Sequence, residues 1–514
     1  MEGHLFVTPA RRAVAIAPMA FLAVFFAVPV SATLVGFLRM DVLVDTMSDG
    51  SFVRLAWFSL WQGLASVAIT LAVGLPATWA LSRHQFPGAR LVRGILSAPF
   101  VLPAVVVGAG VLAVLPGDHD TGVHAILWAH ALFNISVVLR LVGPRWEMLD
   151  ARLEDAAAIL GAPAMRRFVH VTWPHIRNAT INASVVVFMY CFTSFGVIVI
   201  VGGFGRRTLE AEIFTQTIRL GDTTTATALA VVQMAVIALV VAVSAAARRA
   251  DAPSPALSTR REWAGAGARR GAVAAAVAVA LAVVVAPLTA ALVRSVRNTA
   301  TGTWTLAGWR ALVDERLPGM SESALEVARN SAWFAVLAAA VCVPLSLAVV
   351  ASGSKVAHAV SALPMVVSAA TLGVGLIIAF DDDPFAWRTE WWLLPVVHAA
   401  IAFPLTTRTL QPAHAAIPPG LRRASAVLGA GGLRTFLHVE LPLLRPAVMR
   451  AGGLSMAMSL GEFGATSFLS RSGSTTLPIA IGQLFGKVGQ VPQQAGFAVS
   501  GLFIIVTVAV MSRA

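Results

Sequence analysis

Apolar runs of roughly 20 residues alternate with short polar segments along nearly the whole chain. They fall at about 13–37, 57–81, 95–115, 122–142, 180–201 and 226–247, then at 271–293, 330–351, 358–380, 391–412, 446–469 and 494–512. A helix of that length matches the hydrocarbon thickness of a bilayer. The pattern predicts an all-α polytopic membrane protein with about 12 transmembrane helices. A large soluble core fits poorly, because the runs outlast ordinary buried helices. The first run follows Arg11 and Arg12, and Val30-Ser31-Ala32 resembles a small-residue cleavage site. The run continues past that site, so a retained first helix is expected rather than a removed leader.

The runs divide into two sets of six. Between them lies RRADAPSPALSTRREWAGAGARR, residues 248–270, whose Pro, Ser, Ala and Arg content is that of a linker. A shift of 268 positions aligns Glu154–Ala179 with Arg422–Ala447 without a gap, with 12 of 26 positions identical. The same shift pairs Pro76 with Pro344, His130 with His398, and Phe195-Gly196 with Phe463-Gly464. A shift of 265 pairs Pro99, Gly108 and Gly110 with Pro364, Gly373 and Gly375. Such a repeat sets the architecture. The expected halves are 1–247 and 271–514, with 248–270 between them.

The best-matched stretch is also the one least suited to lipid. EDAAAILGAPAMRRFVHVTWP, residues 154–174, is charged, rich in small residues and broken by Gly and Pro. Its chemistry predicts a short helix over Leu153–Leu160 with acidic residues early, where they suit the helix dipole. Gly161 fits a left-handed helix-ending position, and Pro163 the first turn of a second helix. Pro174 is expected to break that helix before the fifth span. Ala156, Ile159 and Leu160 share one face at the i, i+3, i+4 spacing. A docking element for another protein accounts for this face. A plain hairpin joining two spans is the alternative, which recurrence at the same place in the second half disfavours.

Composition sharpens the picture at two points. The chain is 57% hydrophobic and 12% charged, and its formal net charge is +13. With the N-terminus placed in the cytoplasm and each charge inside a span counted with its nearer face, the cytoplasmic side carries 25 Lys and Arg against 8 Asp and Glu, and the external side 13 against 17. This is the asymmetry of the positive-inside rule. It assigns the basic excess to loops of a membrane protein rather than to a nucleic-acid surface. It also puts both termini and both repeated loops, 143–179 and 413–445, on the cytoplasmic side. Six spans per half give both halves the same orientation, a parallel duplication. Cys191 and Cys342 lie inside apolar runs, which leaves no disulfide framework or zinc cluster.

The repeated loop resembles the cytoplasmic loop of permease subunits of binding-protein-dependent ABC importers. The first copy carries Glu154, Ala156, Ala157, Gly161 and Pro174 of that family's pattern, with Asp155 as an extra residue and Trp173 before the proline. The second keeps Ala424, Ala426, Gly429, Leu441 and Pro442, and has Arg422 and Arg423 where the glutamate would stand. The segments 192–203 and 459–481 look like those of ferric-iron and thiamine importer permeases, and GEFGA at 461–465 is shared with molybdate and sulfate permeases. The resemblance implies two tandem six-helix permease domains of the type I importer kind, with 143–179 and 413–445 as coupling loops. It further implies a separate ATPase subunit, expected as a dimer, an extracytoplasmic binding protein, an inner-membrane location and a small solute, ferric iron or thiamine, as substrate. No cofactor is expected.

The chain has no nucleotide-binding loop of its own. Gly482 to Val488 comes nearest, but has three residues between its glycines and Val where Ser or Thr would bind magnesium. Candidate pathway residues are few. Glu462 is an acidic residue within a span, where ionisable groups are costly and often functional; its repeat mate is Ser194. A structural hydrogen bond is the other reading of Glu462. His130 and His398 are repeat-equivalent, and interhelical hydrogen bonding explains them more simply than a metal relay. A secondary transporter with two six-helix halves is the rival class. It would need intramembrane coupling residues, and it gives no reason for the duplicated loop. A membrane enzyme is a third reading, and no convergent set of His, Asp and Glu near one membrane face supports it.

Overall fold

Eight helices of the computed structural model are long and apolar enough to cross a membrane: Ile16–Val35, Gly50–Arg83, Val123–Glu147, Thr223–Ser244, Arg269–Val296, Ala324–Ser352, Leu393–Ala415 and Gln490–Ala509. Two bent pairs bring the number to ten if each forms one span. Ala89–Phe100 meets Ala104–Val114 at 109°, and Lys355–Val366 meets Ala369–Phe380 at 100°. The structure describes residues 13–36, 50–115, 122–203, 206–247, 261–262, 267–299, 301–382 and 384–511, and these numbers refer to them.

The two remaining apolar runs, the fifth of each half, are helical but more polar. Trp173–Phe192 begins with Pro174, His175, Arg177 and Asn178, and Leu441–Gly461 carries Arg445, Pro446 and Arg450. Each is broken near its apolar end and resumes as a short helix, Gly196–Val201 or Gly464–Leu469. All twelve expected segments are therefore helical, although four of them are bent or broken. Proline accounts for the bends. Pro99 and Pro103 flank the first turning point, and Pro364 lies at the second, where the Ser368 hydroxyl caps the helix that follows.

The chain forms two compact units, and neither is one half of the sequence. One comprises residues 1–46, 213–234 and 324–479; the other comprises 47–212, 235–323 and 480–514. In the first, the helix Val28–Gly36 packs against Ala369–Phe380, and the core gathers Leu22, Phe26, Phe334, Leu376, Phe380 and Phe403. In the second, Gly50–Arg83 packs along Val123–Glu147, and Ala268–Val296 lies against Ala104–Val114.

Glycines on the short helix after each bend permit these approaches. A Cβ at Gly108 would lie 2.9 Å from Ile200, and one at Gly110 would lie 3.1 Å from the Pro287 carbonyl oxygen. In the other unit, a Cβ at Gly373 would lie 2.6 Å from the Phe468 ring, and Gly375 meets the Pro29 carbonyl. Ile200 and Phe468 are repeat-equivalent. In each unit the second glycine receives a proline carbonyl from the first helix of the opposite sequence half. Small residues at helix contacts are the usual means of close approach within a membrane.

Of the expected linker, residues 248–260 and 263–266 lie outside the described residues. Arg261–Glu262 pairs in parallel with His84–Gln85. Pro174 departs from expectation. The backbone runs from Ala164–Arg167 through a π turn, Phe168–Thr172, directly into Trp173–Phe192, with Pro174 in the first turn of that helix. The wider π turn and the first-turn position accommodate a residue that lacks an N–H. Pro442 follows the π turn Phe436–Glu440 in the same way.

Candidate functional site in two loops of matching geometry

Each loop is built by local rules before any tertiary contact is considered. In the first, Asp150 Oδ1 accepts the Arg152 N–H at 2.9 Å and caps the helix Ala151–Ile159. The helix ends at Gly161, where φ is +78°. There the Ala162 N–H reaches back to the Ala157 carbonyl at 3.0 Å, and the Gly161 N–H to Ala158 at 3.0 Å. These two hydrogen bonds to the last carbonyls are the usual glycine helix stop. In the second loop, Pro419–Val427 ends at Gly429, where φ is +79°, and Ala430 and Gly429 donate to Ser425 and Ala426, both at 3.0 Å. Nothing lies within 4 Å of a Cβ added at either glycine, so the backbone angle, not space, requires glycine there.

The stop turns the chain so that apolar side chains project outward. Ile159 and Leu160 are each 86% exposed, and their repeat mates Val427 and Leu428 are 87% and 86% exposed. Met165 and its mate Leu433 are exposed beside them. Ala156, Ala424 and Ala426 are exposed on the same helices, whereas Ala157 is half-buried. Each loop thus holds several large apolar side chains in the open within a few residues of its glycine stop.

Glu154 points the other way. Its Oε2 accepts from Arg83 Nη2 at 2.8 Å, and its Oε1 accepts from the Thr172 hydroxyl at 2.8 Å. Arg83 is buried at the end of the second span and also donates to the Leu149 carbonyl at 2.6 Å. In the second loop, Arg422 Nε donates to Glu440 Oε1 at 2.7 Å, and His414 Nε2 lies 3.0 Å from Glu440 Oε2. Burial alone would raise the Glu440 carboxyl. The hydrogen bonds and positive charge of His414 and Arg422 outweigh it and hold the group down to about 2. Arg83, Thr172, His414 and Glu440 were not singled out from the sequence. The repeat alignment carries the signal, since Glu154 and Thr172 stand opposite Arg422 and Glu440.

The candidate pathway residues occupy the broken spans and their neighbours. Glu462 sits in the break before Gly464–Leu469, and its Oε1 accepts the Ala465 N–H at 2.6 Å as a helix cap. His398 bridges the same break, with Nδ1 2.7 Å from Ser459 Oγ and Nε2 2.8 Å from Thr466 Oγ1. The structure thus brings Glu462 and His398 to one break. In the other unit, His130 Nδ1 lies 2.8 Å from Ser66 Oγ, and its buried Nε2 has no hydrogen-bond partner among the described residues; Ile198 stands where the second half has Thr466. Ser194 is buried at the break beyond Cys191. Gln62 and Asn134, which the sequence reading missed, bond the Cys191 carbonyl at 2.9 Å and the Cys191 sulfur at 3.4 Å.

Duplicated sets of membrane-crossing helices, each carrying one loop with an exposed apolar tip, are the architecture of an integral membrane protein. A family model described as "Binding-protein-dependent transport system inner membrane component" matches residues 70–250 and 351–514, and the chain belongs to that family. It is an integral membrane protein and the permease of a binding-protein-dependent ABC importer. Among its relatives, the thiamine transport system permease protein ThiP of Brucella abortus (strain 2308) is 27% identical over 84% of this chain and 82% of its own length. ThiP of Escherichia coli (strain K12) is 23% identical over 97% and 93%. A probable ABC transporter permease protein, y4fN, of Sinorhizobium fredii is 24% identical over 94% and 92%.

Proposed function

We propose that the chain forms the membrane pathway of a thiamine importer and that both loops dock a separate ATP-hydrolysing subunit, one copy to each loop. The matching loop geometry carries this reading: two helix stops with the same left-handed glycine, and two apolar tips at repeat-equivalent positions. Twofold docking suits a dimeric ATPase. The sequence repeat and the two family-model matches favour permease domains at 1–247 and 271–514 on either side of the 248–270 linker. The basic bias favours cytoplasmic termini and loops, with an extracytoplasmic binding protein delivering solute from the other side. Relatives named as thiamine permeases favour thiamine over ferric iron. Glu462, Ser194, His130 and His398 are proposed to shape the broken spans that the solute passes, with ATP hydrolysis assigned to the separate subunit.

Cysteine cross-linking tests the docking. The two native cysteines are buried, so cysteines introduced as Leu160→Cys and Leu428→Cys on the exposed tips report without background. Each is expected to cross-link to the ATPase subunit in membranes. Absence of both cross-links in an assembled transporter would contradict the reading.

A further inference from the structure

The two loops are fastened to their bases by ion pairs of opposite polarity. In the first, the carboxylate is on the loop helix (Glu154), and the residue closing the π turn at the foot of the fifth span is Thr172. In the second, the loop helix carries the cation, Arg422, and the carboxylate, Glu440, closes the π turn. The four residues occupy the same two repeat positions. In both loops, a hydrogen bond of 2.7–2.8 Å joins the loop helix to the start of the fifth-span helix.

The third member differs. Arg83 reaches Glu154 from the end of the second-span helix, Gly50–Arg83. His414 reaches Glu440 from the last turn of the fourth-span helix of its half, Leu393–Ala415. Their repeat positions in the opposite half hold Ala351 and Trp146, so neither partner has a counterpart. Each carboxylate is withdrawn from solvent, with side chains 19% and 2% exposed, and the apolar tips project elsewhere.

We infer that Glu154–Arg83–Thr172 and Arg422–Glu440–His414 are equivalent clamps of inverted charge. Glu154 and Arg422 are positioning residues that hold the loop helix at a set angle to the membrane helices; they do not serve as contacts to the ATPase. The inference rests on the docking reading. A force applied at the first loop is carried into spans two and five of its half. At the second loop it is carried into spans four and five. The two loops therefore transmit the same event to different helices.

Charge exchange tests this in the full chain, assembled with its ATPase. Arg422→Glu sets two carboxylates together, and Glu440→Arg sets two guanidinium groups together. Each single change is expected to raise the ATP hydrolysed per solute transported by about tenfold. The double variant Arg422→Glu with Glu440→Arg is expected to return to within about threefold of the parent. ATPase affinity is expected to stay within about threefold throughout, since the tips are untouched. If the single variants weaken ATPase binding in proportion and the double does not recover, Arg422 touches the ATPase directly; the clamp is then overturned while docking stands. If coupling is unaffected in the singles, the clamp is also overturned. Should the reversed variants fail to accumulate, Arg422→Lys and Arg422→Gln decide it: coupling kept in the first and lost in the second at unchanged ATPase affinity supports the clamp, and equal coupling, or affinity lost along with coupling, contradicts it. Failure of the docking reading shows separately, as ATPase affinity indifferent to changes at Leu160 and Leu428.

Discussion

Placing a charge on each tip, Leu160→Asp with Leu428→Asp, is the sharpest perturbation of the proposed docking surface. Both leucines are 86% exposed in the free permease, so nearly all of their apolar surface is available to a partner. Burying a leucine side chain is worth about 1.5–3 kcal/mol. The aspartate forfeits that and carries a charge into the interface, which brings the loss to at least about 3 kcal/mol for each loop. At 1.4 kcal/mol per tenfold, the ATPase is expected to bind about 100-fold more weakly per altered loop. The permease itself is expected to keep its stability within about 0.5 kcal/mol, because neither side chain packs against it. Titrating labelled ATPase onto permease in nanodiscs, with a thermal melt of the permease alone, separates the two effects. An affinity change below about threefold, with the melt unchanged, would refute the assignment of these tips as the docking surface.

Three further outcomes follow from the geometry. Gly161→Pro removes the N–H that donates to Ala158 and cannot adopt a φ of +78°; uncoupling of ATP hydrolysis from uptake is expected with the protein still in the membrane, read as ATP consumed per solute moved. Gly373→Val puts methyl groups where a Cβ alone would approach the Phe468 ring to 2.6 Å; a cost of at least about 1–3 kcal/mol is expected as a lowered melting temperature in detergent. Glu440 titrates near 2 instead of 4.5, so its stabilising contribution is fully present above about pH 4.5 and is lost as pH falls through 2. The stability difference between the parent and Glu440→Gln is therefore expected to gain no slope from Glu440 ionisation between pH 5 and 8.

The features governed by local rules were legible in the sequence. Apolar length predicted the helical segments, and the repeat predicted the pairing of loops. The glycine stops at 161 and 429 followed from residue type and position, since a helix end with no packing around it answers to backbone preference alone. Features set by tertiary packing were hidden. An apolar run does not show where a helix turns, so the spans expected at 95–115 and 358–380 carry no sign of the bends after Phe100 and Val366. Composition does not say which helix packs with which, and the first helix of each half packs within the unit dominated by the other half. Pro174 was read as a helix breaker because the π turn that admits it has no single-residue signature. The ion pairs were missed for a different reason. Arg83 and Glu154 are 71 positions apart, and the inverted polarity at Arg422 and Glu440 looks like loss of a motif until both members of each pair are in view.

The most direct measurement is uptake into proteoliposomes containing the chain and its ATPase, with ATP inside and labelled thiamine presented outside by the binding protein. Thiamine is predicted to accumulate only when ATP and the ATPase are both present, and imposed ion gradients are predicted to have no effect. Gradient-driven accumulation by the chain alone, without the ATPase, would contradict the account.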